Sequence, residues 1–389
     1  MDERVFHILT PEELKKGAGT DVYFLRTIQI LERKGIKRRV AGEVRAHTFP
    51  KNWKWVVMTG IHESLKMLEG LKVNVRAVKE GTLVNANEPV LEIDGEYSEF
   101  GAYETSILGF LCQATGIATA SARCTKAAGG RPVLSFGSRR IHPAIMPMVD
   151  RSAYIGGCSG VSSIKGAEII SEEPSGTMPH ALILIMGDTV EATKLFDEII
   201  DKKVARVSLV DTFHDEKFES IKVAEALGDH LYAVRLDTPR SRRGDFLRIL
   251  EEVRWELDSR GFEKVKLFVS GGIDEEAILH LNPLVDSYGV GTSISGAPVI
   301  DFSFDIVDIE GKAIAKKGKE SGRKNLFRCH KCFRHTVVVK EMEQVLCRCG
   351  NRMENLLVPV MHKGSILGPL PDAQELREYV LTQLNHFEL

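Results

Sequence analysis

The chain lacks a surplus of either charge. Its 52 Lys and Arg against 54 Asp and Glu give a formal net charge of -2, and the pI is near 6.7. That balance removes any general electrostatic reason to expect nucleic acid or an anionic membrane as partner, so a cation site must be local. No apolar run reaches the roughly 18–20 residues that span a bilayer. The start, Met1-Asp2-Glu3-Arg4, has no basic stretch followed by an apolar one, so the expectation is a soluble, cytoplasmic protein. Cysteine is too sparse and too unevenly placed for a disulfide framework, with seven in 389 residues. Cys112, Cys124 and Cys158 are scattered, and the other four are clustered near the C-terminus at metal-ligand spacing. What remains is a globular composition, 43% hydrophobic and 27% charged, in a chain long enough for two or three domains.

Thr20-Asp21-Val22-Tyr23-Phe24 reads as a helix start running on through Leu25 and Ile28. From Arg39 to His47 the chain alternates, with Val40, Gly42, Val44 and Ala46 against a mostly charged face, the pattern of a half-buried strand. Ile61, Leu65 and Leu68 recur at helical spacing and Gly70 closes that segment. Lys79-Glu80-Gly81-Thr82 and Glu92-Ile93-Asp94-Gly95 read as turns between short β-rich runs. Residues 1–115 are therefore expected to form an α+β domain.

After Gly116 short apolar runs alternate with amphipathic helices. The expected strands are Val133–Phe136, Ala153–Gly156, Glu168–Ser171, Ala205–Val210, His230–Leu236, Val265–Val269 and Ser287–Val290. Phe246, Ile249, Leu250, Val253 and Leu257 share one helix face ended by Gly261. This repetition predicts an α/β fold, an incomplete (β/α) barrel over residues 116–320, with a doubly wound open sheet as the alternative. Residues 321–389 form the expected C-terminal region.

The expected strand ends carry a consistent chemistry. Phe136-Gly137-Ser138-Arg139-Arg140 offers an aromatic face, a glycine and two fixed cations, suited to a flat anionic ligand. Glu172 and Glu173, Asp211, and Arg235 with Asp237 follow. Ser270-Gly271-Gly272 and Gly289-Val290-Gly291-Thr292 can cradle a phosphate with backbone N–H groups, or be tight turns that need positive φ. Asp211 and Asp237 suit ribose hydroxyls or Mg²⁺. Gly176-Thr177-Met178-Pro179-His180 places a histidine beyond another strand end.

Taken in order, the motifs TDVYF, FGSRR, SGTMPH, VDTF, VRLD, SGGI and GVGTS, with the basic segment Gly311–Lys324, resemble the nicotinate phosphoribosyltransferases of the type II phosphoribosyltransferase fold. The resemblance implies transfer of phosphoribosyl from phosphoribosyl pyrophosphate (PRPP) to nicotinate, with Mg²⁺ accompanying PRPP, in NAD biosynthesis. It implies that Phe136 stacks on the pyridine, that Arg139, with Arg140 beside it, meets a carboxylate or phosphate, and that Arg235 and Asp237 hold PRPP. It places Asp211 on the sugar or metal side, Thr177 in the SGTMPH loop beside the substrate, and Ser270, Gly271, Gly272, Gly291 and Thr292 around the 5′-phosphate. His180 resembles the histidine that many members phosphorylate from ATP. Tyr23 resembles an aromatic that completes the neighbouring subunit's site, which implies a homodimer.

Cys329-His330-Lys331-Cys332 and Cys347-Arg348-Cys349 form C-x2-C, a spacer and C-x-C, a four-thiolate set suited to tetrahedral zinc or, by donor set alone, iron. The alternatives to a nicotinate enzyme are a quinolinate phosphoribosyltransferase, which needs further cations for a second carboxylate, and a zinc-knuckle RNA-binding protein built on an inactive barrel.

Overall fold

The computed structural model describes residues 5–389, so the reading of Met1–Arg4 lies outside the described residues. Two compact units divide the chain: residues 120–297 form one, and residues 1–119 with 298–389 form the other.

The unit of residues 120–297 is built on six parallel strands, here β1 (Val133–Ser135), β2 (Gly160–Val161), β3 (Val207–Leu209), β4 (Ala233–Leu236), β5 (Lys266–Val269) and β6 (Ser287–Val290), in the spatial order β2-β1-β6-β5-β4-β3. This is an open half-barrel, the incomplete (β/α) barrel that the repetition predicts. Its strands are short and almost entirely buried, and helices such as Phe246–Asp258 lay an apolar face of Leu250, Val253 and Leu257 into the core. Every strand end in such a sheet faces the same way, which is what gathers distant loops into one site.

Two expected strands are helices. Ala153–Gly156 is the end of the helix Met146–Ile155, which carries Pro147 in its first turn, and Glu168–Ser171 belongs to the end of Ile164–Ile169. Short apolar runs do not distinguish a strand from a buried helix segment. The strand between them is the two-residue β2, too short to announce itself. Glu172 and Glu173 therefore do not end a strand: Glu172 accepts a hydrogen bond from Tyr154 at 2.7 Å, and Glu173 lies on the surface 3.7 Å from Lys203.

The other unit centres on a seven-stranded antiparallel sheet. In it Arg39–Ala46 lies between Phe302–Ile309 and the central strand Leu91–Glu96, and Val358–His362 from the C-terminal region joins the far side of Asn74–Ala77. The half-buried reading of Arg39–His47 is corrected here, since everything from Val40 to Ala46 is buried. Glu43 and Arg45 go inside because they are paired: Lys324 Nζ lies 3.0 Å from Glu43, and Arg45 lies 2.6 Å from Glu320. The Glu92–Gly95 turn is also corrected to strand, with Asp94 held by Arg39 and Arg323. As expected, a helix starts after Asp21 (Val22–Arg33), and another covers Ile61–Leu68 with Gly70 at φ +94° beyond it. Among the described residues no helix is long and apolar enough to cross a membrane.

Candidate functional site

All six strand ends reach one cleft. From β1, Phe136 places its ring where Gly289 of β6 has no side chain. A Cβ there would lie 2.6 Å from the ring, so the glycine is a space requirement. Phe136 also packs against Phe268 of β5 at a centroid distance of 5.8 Å. The Arg235 guanidinium from β4 lies 5.2 Å from the Phe136 ring centroid, within cation–π range.

Arg235 is largely buried and held from three sides. Its Nε donates to Ser270 Oγ at 2.8 Å, its Nη1 donates to Thr177 Oγ1 at 2.8 Å, and Asp237 lies 3.5 Å from Nη2. Burial weakens its hold on the proton, whereas the charges of Asp237 and Asp211 support it. Ser270 in turn donates to Asp237 Oδ1 at 2.5 Å. One hydroxyl thus locks the loop after β5 to the cation and carboxylate after β4.

His180 opens the helix His180–Met186, and its Nε2 lies 3.5 Å from Asp237 and 3.8 Å from Asp211. Its Nδ1 is 3.0 Å from Thr212 Oγ1. Asp211, at the end of β3, is pushed up to about 6, chiefly by burial and further by Asp237, with His180 opposing. Its Oδ1 is buried without a hydrogen-bond partner. An orphaned carboxylate oxygen beside a second carboxylate fits a hard cation.

The Ser270–Gly272 loop turns through φ +80° at Gly271 and +66° at Gly272, a backbone that side chains rarely adopt. With Gly291 and Thr292 after β6 it lines a cavity of about 280 Å³ that Phe136, Arg139, Arg140 and Arg235 also reach. A second cavity of about 410 Å³ shares Phe136, Arg139, Arg235 and Asp237 and extends to Thr177 and His180. The two spaces meet on the Phe136–Arg235–Asp237 wall. The expected residues from Phe136 to Thr292 are thus in one place, except Glu172 and Glu173. Tyr23 lies in the other unit, on the helix Val22–Arg33, 57% exposed.

Sequence reasoning missed two contributors. Arg240, in the loop after β4, lines the smaller cavity and donates to Gly272 O at 2.7 Å. Asp150, fully buried, accepts from Ser163 and, at 3.4 and 3.5 Å, from Ser135 and Ser138, tying the FGSRR loop to the sheet. The run Arg240-Ser241-Arg242-Arg243 was the available signal for the first; an aspartate inside a helix gives none.

The four clustered cysteines also meet. Their sulfurs all lie within 4.8 Å of one another, with Cys329 to Cys349 at 3.5 Å and Cys332 to Cys347 at 3.4 Å. That spacing fits thiolates around one tetrahedral ion. A hydrogen bond from Asn351 lowers the Cys349 thiol, which favours the thiolate form that binds metal.

A parallel half-barrel that presents an aromatic ring, a buried cation, paired carboxylates and glycine loops along one edge defines the class of the chain as an α/β half-barrel with a polar cleft at its strand ends. Comparison places it. Residues 21–115 match the quinolinate phosphoribosyl transferase N-terminal domain and residues 117–305 match the C-terminal domain. The chain belongs to this family of type II phosphoribosyltransferases. A nicotinate phosphoribosyltransferase of Mycobacterium tuberculosis is 31% identical over 78% of this chain and 66% of its own length, and one from Bacillus subtilis is 31% identical over 65% and 54%. The chain thus spans two thirds or less of those relatives. The solved nicotinate-nucleotide pyrophosphorylase of Pyrococcus furiosus is 52% identical, with 99% of each chain covered and a TM-score of 0.98. Human nicotinic acid phosphoribosyltransferase shares the fold at a TM-score of 0.73 and 18% identity over 95% of this chain and 94% of its own.

Proposed function

We propose that the chain is a nicotinate phosphoribosyltransferase, joining nicotinate to PRPP to give nicotinate mononucleotide and pyrophosphate in cytoplasmic NAD biosynthesis. The observation that carries this reading is the wall shared by the two cavities, where Phe136 offers a ring face, Arg235 lies over it and Asp237 sits beside both. The pyridine nitrogen displaces pyrophosphate from C1 of PRPP through a transition state of oxocarbenium character. A pyridine is nucleophilic without a base, so the residues have two tasks, alignment and charge. Phe136 presents the ring, Arg139 and Arg140 supply cations for the carboxylate or the diphosphate, and Ser270–Gly272 with Gly291 and Thr292 anchor the 5′-phosphate. Asp237 and Asp211 face the sugar as its charge develops and are the groups that would hold Mg²⁺. When bound, that ion offsets the charge of the departing diphosphate.

ATP coupling through phosphorylated His180 belongs to the same proposal, supported by its place between two carboxylates. So does a homodimer in which Tyr23 completes the site of a second copy. Zinc at Cys329, Cys332, Cys347 and Cys349 is the proposed structural metal. Quinolinate is the second reading, favoured by the match to quinolinate phosphoribosyl transferase domains and by the four arginines that line the smaller cavity with Phe136.

The test is to incubate the protein with Mg²⁺ and PRPP and one of nicotinate, quinolinate or nicotinamide, with and without ATP, and to identify the mononucleotide by mass. Nicotinate-dependent product is expected. Product from quinolinate alone moves the assignment to the second reading, and no product from any of the three ends both.

A further inference from the structure

Arg243 is a cation without a counterion. It is 8% exposed, and no carboxylate among the described residues lies within ion-pair distance of it. Its Nη2 donates to Gly271 O at 3.1 Å, its Cζ lies 4.6 Å from the Phe246 ring centroid, and its Nη1 is buried with no hydrogen-bond partner. Burial and the neighbouring Arg240 work against its charge, and Asp237 and Asp274 support it from beyond ion-pair distance. A buried guanidinium with no direct counterion is costly and favours an anion nearby.

Its side chain grips the loop Ser270–Gly272, and Arg240 grips the next carbonyl, Gly272 O, at 2.7 Å. Two guanidiniums thus fix successive carbonyls of a loop that lines the adjoining cavity. Its two glycines turn through φ +80° and +66°. A backbone so held is an anion cradle, backed by a fixed positive charge.

We propose that Arg243 is a positioning residue for the phosphate monoester end of the substrate: it fixes the Ser270–Gly272 loop through Gly271 O and supplies the buried countercharge to the phosphate bound there. This rests on the reading of the cavity as a phosphoribosyl site. The Arg243→Gln variant separates its two tasks, because glutamine retains an N–H donor for Gly271 O but carries no charge, whereas Arg243→Lys keeps the charge.

Calorimetric binding of ribose 5-phosphate, PRPP and inorganic pyrophosphate, each alone, reads the outcome with no pyridine present. For R243Q the expected result is ribose 5-phosphate and PRPP affinity weakened about tenfold or more, the scale of one unit charge at short range in a protein. Pyrophosphate affinity stays the same, and R243K stays within about threefold of the parent. A merely structural role would weaken all three ligands together and would not be rescued by lysine. Unchanged ribose 5-phosphate binding in R243Q overturns the proposal, as does an equal loss for pyrophosphate. Should R243Q not fold, R243K decides: near-parent ribose 5-phosphate affinity supports the proposal and a tenfold loss overturns it. Parent protein that binds neither PRPP nor ribose 5-phosphate overturns the phosphoribosyl reading itself, a result distinct from a parent that binds both while R243Q binds equally well.

Discussion

Replacing Gly289 by alanine is the sharpest probe of the ring site, because the added methyl acts first on the Phe136 ring. Its φ is not in the left-handed region, so alanine adds one methyl group without straining the backbone there. That methyl would lie 2.6 and 2.8 Å from Phe136 Cδ2 and Cε2, and 3.1 Å from Ser270 Cβ. The nearest ring atom is about 0.8 Å short of the 3.4 Å at which ordinary contact begins. Phe268, 5.8 Å from its centroid, and Arg235, 5.2 Å from it, limit where the ring can go, so Phe136 must shift toward the cavity or tilt. Overpacking of this kind costs about 1–3 kcal/mol of stability. An aromatic stack is worth about 0.5–1.5 kcal/mol, so its loss raises the KM for nicotinate by about 2- to 13-fold. The PRPP KM should rise less than the nicotinate KM, since the methyl approaches Ser270 Cβ at 3.1 Å but the Phe136 ring at 2.6 Å. Steady-state kinetics with each substrate varied at saturation of the other, together with a melting curve, measures both effects. A folded G289A protein with an unchanged nicotinate KM would refute the placement of the pyridine on Phe136.

Three further outcomes follow from the same geometry. Asp211, raised to about 6 by burial, should give an acidic limb to kcat/KM for PRPP with an apparent pKa near 6, activity rising as the carboxylate loses its proton; Asp211→Asn should remove that limb along with most of the activity, and a limb that persists assigns it to another group. His180→Ala should abolish ATP stimulation and leave slow transfer, so stimulation that survives it would sink the phosphohistidine assignment. Purified protein should contain one zinc per chain by elemental analysis, and Cys332→Ser should lose the metal and melt lower; a metal-free parent with the same melting point would exclude a structural role for the ion.

Much of the site was legible because phosphate and flat anionic ligands demand residue types that stand out: consecutive glycines, fixed cations after an aromatic, a histidine behind a proline. Glu172 and Glu173 were drawn in by the same reasoning, and they miss the cleft because the segment before them is helix. Asp150 and Arg243 were not legible. Nothing local marks a helical aspartate that holds serines from three other segments, or an arginine whose partner is a carbonyl 28 residues away. Glu43 and Arg45 show the same limit, since an alternating charged face reads as solvated until the chain near residue 320 covers it.

By itself the sequence determined the (β/α) rhythm, the helix faces, the order of the loops that line the cleft and the four-cysteine cluster, all of which depend on spacing along the chain. Tertiary structure decided which carboxylates face the cleft, that Arg235 is clamped between Thr177 and Ser270, and which charges are buried in pairs. Those contacts join residues 35 to 281 positions apart, and the energy of a buried charge depends on the partner that arrives beside it, not on its neighbours in the chain.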